Sequence, residues 1–221
     1  MDEFAKAIQK KYIEDITNKY PLNFFICLFM LIISSYIYSS LPHTRLLDGL
    51  SSVKVSFIFD FKKGISAEIS VWQLSVCIFF AILLRNFYTS IIKSCFQLLS
   101  KSDDFSVYEK QIRTSVEVAK SDDQMVNYFL SKDISSQLEK SRSKIRSMHN
   151  LAEVVFTLSI SMLWGVKAFK WIDWFLFIAS ILYIIYTQWK VFHYYIREFI
   201  PYYITEKTLL GTAGKFGDEA A

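Results

Sequence analysis

Four stretches of the chain are apolar for long enough to cross a bilayer, and the polar positions between them set the layout. A helix needs about 20 apolar residues to traverse a hydrocarbon core about 30 Å thick. Leu22–Leu41 meets this between Pro21 and Pro42, which places a first span at 21–41. Ile69–Ile92 is a second, interrupted by one charge at Arg85. Leu151–Phe169 is a third and Trp171–Trp189 a fourth, divided by Lys170 and its neighbours, so the two read as a tight hairpin. An aromatic helix continues from Trp189 to Pro201. A cleavable signal peptide is the rival reading of the first span, since Leu22–Ile33 has the length of an h-region. However, 21 residues precede it and no clear small-x-small cleavage site is present.

The segments outside these spans carry their own periodicities. In 1–20, Phe4, Ile8, Tyr12, Ile16 and Tyr20 recur every four residues, giving an amphipathic helix that lies on the inner membrane surface or packs on the protein. In 42–68, Val53, Val55, Phe57, Phe59 and Phe61 alternate with Lys54, Ser56 and Asp60, a strand pattern. Lys62-Lys63-Gly64 follows as a turn. Ile65–Ile69 is then either a return strand or the start of the second span with Ser66 as its cap. A lone strand or hairpin is not stable in water, so its apolar face needs the bundle or a second copy of the chain. In 93–150, Phe105, Tyr108, Ile112, Val116 and Ala119 follow helical spacing, and Ser121-Asp-Asp-Gln124 is a capping box that starts a second helix. Met125, Phe129, Leu138, Ile145 and Met148 extend its apolar stripe. These two helices need each other, a neighbouring subunit or a soluble partner. The expected fold is an all-α polytopic membrane protein: four transmembrane helices, a cytoplasmic helical hairpin and a short extracytoplasmic β-strand or hairpin. Residues 190–221 supply a cytoplasmic aromatic helix and a small, polar tail.

Charge sets the orientation. Eighteen Lys and Arg fall in 1–20, 93–150 and 190–221, six fall in the segments on the other side, and Arg85 is the remaining one. The positive-inside rule then puts both termini and the middle segment in the cytoplasm. Trp72, Trp164, Trp171 and Trp174 gather at the outer interface and Trp189 at the inner one. Composition agrees: 52% hydrophobic residues, 20 Phe and 13 Tyr against 6 Gly, with a mean hydropathy of +0.26. This excludes disorder, a disulfide scaffold and a Gly-rich nucleotide-binding enzyme. The net charge of +4 is too mild to point to nucleic acid.

Candidate chemistry is sparse. Gln73, Cys77, Ala81, Arg85 and Thr89 lie at steps of four along the second span, and Glu153, Thr157, Ser161 and Gly165 do so along the third. Small and polar residues at this spacing let helices approach closely in lipid. An antiparallel register with Arg85 opposite Glu153 would join the two seams through an ion pair. The same residues could instead line a water-filled path in an oligomer, or Arg85 could snorkel. Val53, Val55, Phe57, Phe59 and Phe61 are the candidate oligomer contacts. Lys140, Arg142, Lys144 and Arg146, with Lys190, His193 and Arg197 beyond the fourth span, are candidate lipid or partner contacts. No stacking aromatics are interleaved in the basic cluster, so no direct nucleic-acid contact is expected. Cys27, Cys77 and Cys95 lie far apart with no CxxC, and His43, His149 and His193 are isolated, so no metal site or cofactor is expected. Asp103-Asp104 and Asp122-Asp123 follow serines at helix starts, where capping is their role. With no HExxH, GxSxG or Walker lysine, the chain reads as non-enzymatic.

In the layout of Leu22–Leu41, Ile69–Ile92, Leu151–Phe169, Trp171–Trp189 and the helical segment Ser102–Asn150, the chain resembles the small four-span membrane subunits of bacterial anti-phage systems, in particular the membrane component of the Kiwa system. The resemblance implies a homo-oligomer that recruits a soluble cytoplasmic partner. The expected role is a self-assembling envelope sensor or scaffold, or a channel. The alternative is an immunity protein against a pore-forming bacteriocin, which is similar in layout but usually needs less cytoplasmic mass.

Overall fold

Among the described residues helices account for all the regular structure, because apolar segments in lipid satisfy their own backbone only as helices or closed barrels. The computed structural model describes residues 3–17, 21–41, 44–60, 62–100, 105–119 and 123–210. Phe61, His43, Asp103, Asp104, the first two residues of the Ser121 capping box and the tail from 211 lie outside the described residues. The helices are α1 (Glu3–Thr17), α2 (Pro21–Ser40), α3 (Leu46–Ser52), α4 (Val55–Ile58), α5 (Ile65–Glu68), α6 (Val71–Leu99), α7 (Phe105–Ala119), α8 (Gln124–Leu163), α9 (Trp171–Tyr194) and α10 (Ile200–Leu209). A 3₁₀ turn, Val166–Ala168, precedes α9, and a π-helical turn, Tyr195–Phe199, joins α9 to α10.

Three of these helical runs are long and apolar enough to cross a membrane: Leu22–Ser40, Val71–Leu99, and the continuous run Trp171–Leu209. Phe25 and Phe29 on α2, Trp72 and Phe79 on α6, and Trp171 and Phe175 on α9 face outward. Such apolar surface suits lipid rather than water. The chain is thus built as a transmembrane protein. The third expected span is shorter than its sequence suggests. Its helix stops at Leu163, where Trp164-Gly165 turns into the 3₁₀ segment. From Leu151 to Leu163 is thirteen residues, about 20 Å, against the ~30 Å needed.

The expected strand is absent: among the described residues 53–69 form helical turns, not a hairpin. Alternation alone does not make a strand without a partner edge to bond, and here the backbone bonds locally. Phe57 and Ile58 N–H donate to Lys54 O, and Ile69 N–H donates to Ile65 O. The Asp60 carboxylate accepts from Lys62 and Lys63 N–H, tightening the link to α5. The five-residue apolar face is accordingly broken up. Val53 and Phe57 pack against the core, Val55 and Phe59 are exposed, and Phe61 lies outside the described residues.

α6 starts later than expected. Ser70 Oγ accepts from Gln73 N–H while Gln73 Oε1 accepts from Ser70 N–H, a reciprocal capping box that fixes the start at Val71. Ser66 is inside α5. The aromatic helix does not end at Pro201. Pro201 has no N–H for a normal helical bond. The chain absorbs this with the π turn, where Ile200 N–H reaches Tyr195 O, and continues to Leu209.

The chain divides into two compact units. One comprises 1–18, 91–149 and 187–221, and its core gathers Ile8, Tyr12, Phe96, Leu138, Ile145, Tyr195 and Phe199. The apolar face of α1 is packed here on the protein: the Tyr12 ring meets Phe96 at 4.9 Å and Tyr195 at 4.8 Å. α7 packs along α10 and touches α1. The other unit comprises 19–90 and 150–186, with a core of Ile33, Ile37, Leu46, Ile65 and Met162.

Candidate functional site

In the second unit, the two polar seams do not meet through an ion pair. The ring contacts Phe80–Trp164, Phe87–Phe156 and Tyr88–Phe156 fix how α6 and α8 run past each other. In that register the Arg85 backbone is level with that of Ser159, about six residues or ~9 Å of helix from the Glu153 backbone. No ion pair within 4 Å joins Arg85 to Glu153, although the Arg85 charge lies within electrostatic reach of that carboxylate. Both seams instead turn toward α2. Glu153 accepts a short hydrogen bond from Asn23 Nδ2. The Cys27 thiol adjoins Thr157, and Tyr38 Oη donates to Ser161 O at 3.3 Å. On the other side, Gln73 Nε2 donates to Ser39 Oγ at 3.1 Å and Cys77 adjoins Ser35. Cys77, Ala81, Thr157 and Ser161 are buried.

The hydroxyls in these seams are satisfied within their own helices. Thr89 donates to Arg85 O, Thr157 to Glu153 O and Ser161 to Thr157 O, each at about the ordinary hydrogen-bond length. The Tyr38 ring occupies the space beside Gly165, where a Cβ would fall 2.7 Å from it. Gly165 is thus a close-approach position. Gln73, Cys77, Glu153, Thr157 and Ser161 are thus brought to α2. Asn23, a polar residue alone in an apolar run, was the signal that sequence reading passed over.

A second polar cluster ties the loop after α2 to the start of α9. Asp173 is 1% exposed. Its Oδ2 accepts from Lys170 N–H at 2.8 Å and from Arg45 Nη1 at 3.1 Å. Arg45 also pairs bidentately with Asp48 and holds that carboxyl below its ordinary range. Trp72, Trp164, Trp171 and Trp174 all lie within a turn of a helix end in this unit, where an interfacial belt would sit.

In the first unit, the basic cluster before Leu151 splits in two. Arg142 and Arg146 turn inward to α1. Arg142 Nε lies 3.0 Å from Asp15 Oδ1 and its Nη1 donates to Glu139 at 2.7 Å. Arg146 Nε donates to Asp15 O, also at 2.7 Å. Arg142 further rests over the Phe199 ring. Asp15 is buried, and its Oδ2 has no hydrogen-bond partner. Burial pushes its carboxyl up, against the pull of Arg142, Lys11 and Arg146. Lys140 and Lys144 turn outward, the latter with its ammonium 4.2 Å from the Tyr194 ring centre. Lys190 and Arg197 are exposed, while the His193 ring lies tilted against Trp189 and bonds its backbone oxygen.

His149 is not an isolated loop residue. It is 2% exposed inside the unit, its Nε2 is 3.0 Å from Tyr12 Oη, and burial pulls its pKa down to about 3. Sequence reading gave Tyr12 to the apolar face of α1 but had no means of seating His149 or Asp15 against that helix.

An open pocket of about 370 Å³ lies between α8 and α10, lined by Lys132, Ser135, Ser136, Glu139, Arg142 and Glu206. It sets Lys132 and Arg142 beside Glu139 and Glu206. Among the described residues no three His, Cys, Asp or Glu side chains gather as metal ligands would. Comparison with known protein families, with curated proteins and with solved structures finds no match to this chain.

Proposed function

We propose that this chain is a non-enzymatic, self-assembling protein of a bacterial inner membrane, an envelope sensor or scaffold coupled to a soluble cytoplasmic partner in anti-phage defence. One observation carries the reading: the first turns of α8 present an apolar surface in the unit that holds most of the charge. Met125 is 68% exposed and Phe129 57%, and Val126, Tyr128 and Leu130 are exposed beside them. The inward positions of the same turns are Asn127 and Ser131, both buried. This inverts the usual arrangement, in which large apolar residues are inside. From Met125 to Leu151 is about 39 Å of helix, too far for these side chains to reach a hydrocarbon layer that starts near Leu151. A protein surface is the occupant that fits.

The topology proposed with it has both termini in the cytoplasm. Its support is the division of the chain, which passes between the two units four times, at 18–19, 90–91, 149–150 and 186–187, and returns both ends to one unit. In this reading the apolar end of α8 enters the membrane beside α2 without spanning it alone.

The test is the native mass of the complex extracted from its host in mild detergent. A symmetric multiple of 25.9 kDa that carries a soluble protein, and that loses that protein on Met125→Ser/Phe129→Ser, supports the proposal. A lone monomer overturns it in favour of the immunity-protein reading.

A further inference from the structure

We propose that α8 and α9 together form a binding site for an anionic phospholipid headgroup, built from Lys140 and Lys144 on one helix and Lys190, Tyr194 and Arg197 on and just beyond the other. The two arginines of the basic cluster are committed to α1, and the two lysines are not. Lys140 and Lys144 are exposed, one helical turn apart on the same face of α8, with no acidic partner among the described residues. Lys144 holds its ammonium 4.2 Å from the Tyr194 ring, and Tyr194 Oη donates to Ser141 Oγ at 3.3 Å, so the two helices are joined at this point. A ring contact orients an ammonium without using up its N–H donors, which remain for a phosphate oxygen.

Arg197, in the π turn, is exposed and has no acidic partner among the described residues, and Lys190 stands one turn before Tyr194 on α9. In sequence, 140–152 contains four basic residues and no acid, and Glu198 is the one acid in 187–199. The patch is therefore electropositive on both helices.

Depth along each helix points to a lipid rather than to a free anion. The outward side chains of α9 are apolar through Ile178, Leu182, Ile185 and Tyr186, then change to Trp189, Lys190 and Arg197. Those of α8 change from Leu151 to Lys144 and Lys140 over about two to three turns. Trp189, half exposed at the change, is the residue type that marks a headgroup layer. Cations one to three turns beyond a lipid-facing apolar stripe sit where phospholipid phosphates do.

The test is thermal unfolding of the purified chain in neutral detergent with added phosphatidylglycerol, phosphatidylcholine or inorganic phosphate. Phosphatidylglycerol is expected to raise the midpoint by about 5 °C near saturation, with no rise from the other two. Lys140→Gln/Lys144→Gln should remove most of that rise, and Lys140→Arg/Lys144→Arg should keep it. An equal rise with phosphatidylcholine overturns the proposal, as does an undiminished rise in the Gln pair. So does a rise with inorganic phosphate matching that of the lipid. If the Gln pair does not fold, native mass spectrometry of the unaltered chain decides. Retention of phosphatidylglycerol over phosphatidylcholine from an equal mixture supports the site, and equal retention overturns it.

Discussion

The Tyr12 hydroxyl and His149 Nε2 meet at 3.0 Å, fully enclosed, and so bind α1 to α8 through a histidine that stays neutral. Burial lowers the folded-state pKa of His149 to about 3 from an ordinary 6.5. Between those values the unfolded chain binds a proton that the folded chain refuses. The stability is therefore complete above pH 6.5 and is lost as the pH falls. From pH 6.5 to pH 5 the loss is about 2 kcal/mol. Asp15, whose carboxyl burial raises, acts in the opposite sense, because its protonated form suits the folded state and its cost eases as the pH falls. Unfolding of the parent chain and of His149→Gln, compared across this range, isolates the histidine, since Asp15 is common to both. The variant should lack one proton's worth of pH dependence, and parallel curves would refute the assignment.

Asp15 and Arg142 form the second fastening of α1. Both are largely out of water, and Arg146 bonds the backbone of the same aspartate. Removing one member of such a pair strands the other, which typically costs about 3 kcal/mol, whereas replacing both with apolar residues costs far less. Asp15→Leu should therefore lower stability sharply, and Arg142→Met added to it should recover a large part. A double-mutant cycle on thermal unfolding measures this, and additive losses would show that the two residues do not act as a pair.

The Arg85–Glu153 register illustrates where sequence reasoning stops. Matching seams at steps of four were legible, as were the extents of α2 and the start of α9, because lipid imposes length and periodicity that a chain cannot hide. The partner of a seam was not legible. Which helix each one faces depends on the bulk of Phe80, Phe87, Phe156 and Trp164, whose packing sets the register, and periodicity is silent on that. The misread strand has a similar origin. Val53 to Phe61 alternates faithfully, yet a strand exists only where another edge accepts its bonds, and Asp60 and Gly64 turn the segment before any edge is offered. The Ser70–Gln73 cap and the Asp173 acceptor were readable in principle. Each is a polar residue at a helix start, and both were overlooked beside stronger apolar signals.

Asn23 is the hydrogen-bond partner of Glu153, while Arg85 acts on the same carboxylate through its charge alone. A hydrogen bond to a charged or strongly polar group away from water contributes about 1.5–3 kcal/mol. Asn23→Leu should therefore destabilise the protein by that order and should couple with Glu153→Leu in a cycle. Arg85→Gln should couple with Glu153→Leu more weakly than Asn23→Leu does, because Arg85 reaches that carboxylate through charge and not through a hydrogen bond. An Arg85–Glu153 coupling as strong as that of Asn23 would restore the ion pair and refute the observed register.

Gly64 and Gly49 test how tightly the loop between α2 and α6 is closed. A Cβ on Gly64 would run into the backbone oxygens of Phe57 and Asp60, which are held by the turns around them. A Cβ on Gly49 would strike the Ile37 side chain, whose methyl groups can rotate away at modest cost. Neither glycine has a left-handed backbone, so the difference is one of space alone. Gly64→Ala should cost about 2–3 kcal/mol or abolish folding, and Gly49→Ala should cost about 1 kcal/mol. Thermal unfolding of the two variants in one detergent ranks them directly. If Gly64→Ala proved the milder change, Asp60 and Phe57 would not be fixed where they are seen, and the segment would be free to re-form as the strand its alternation suggests.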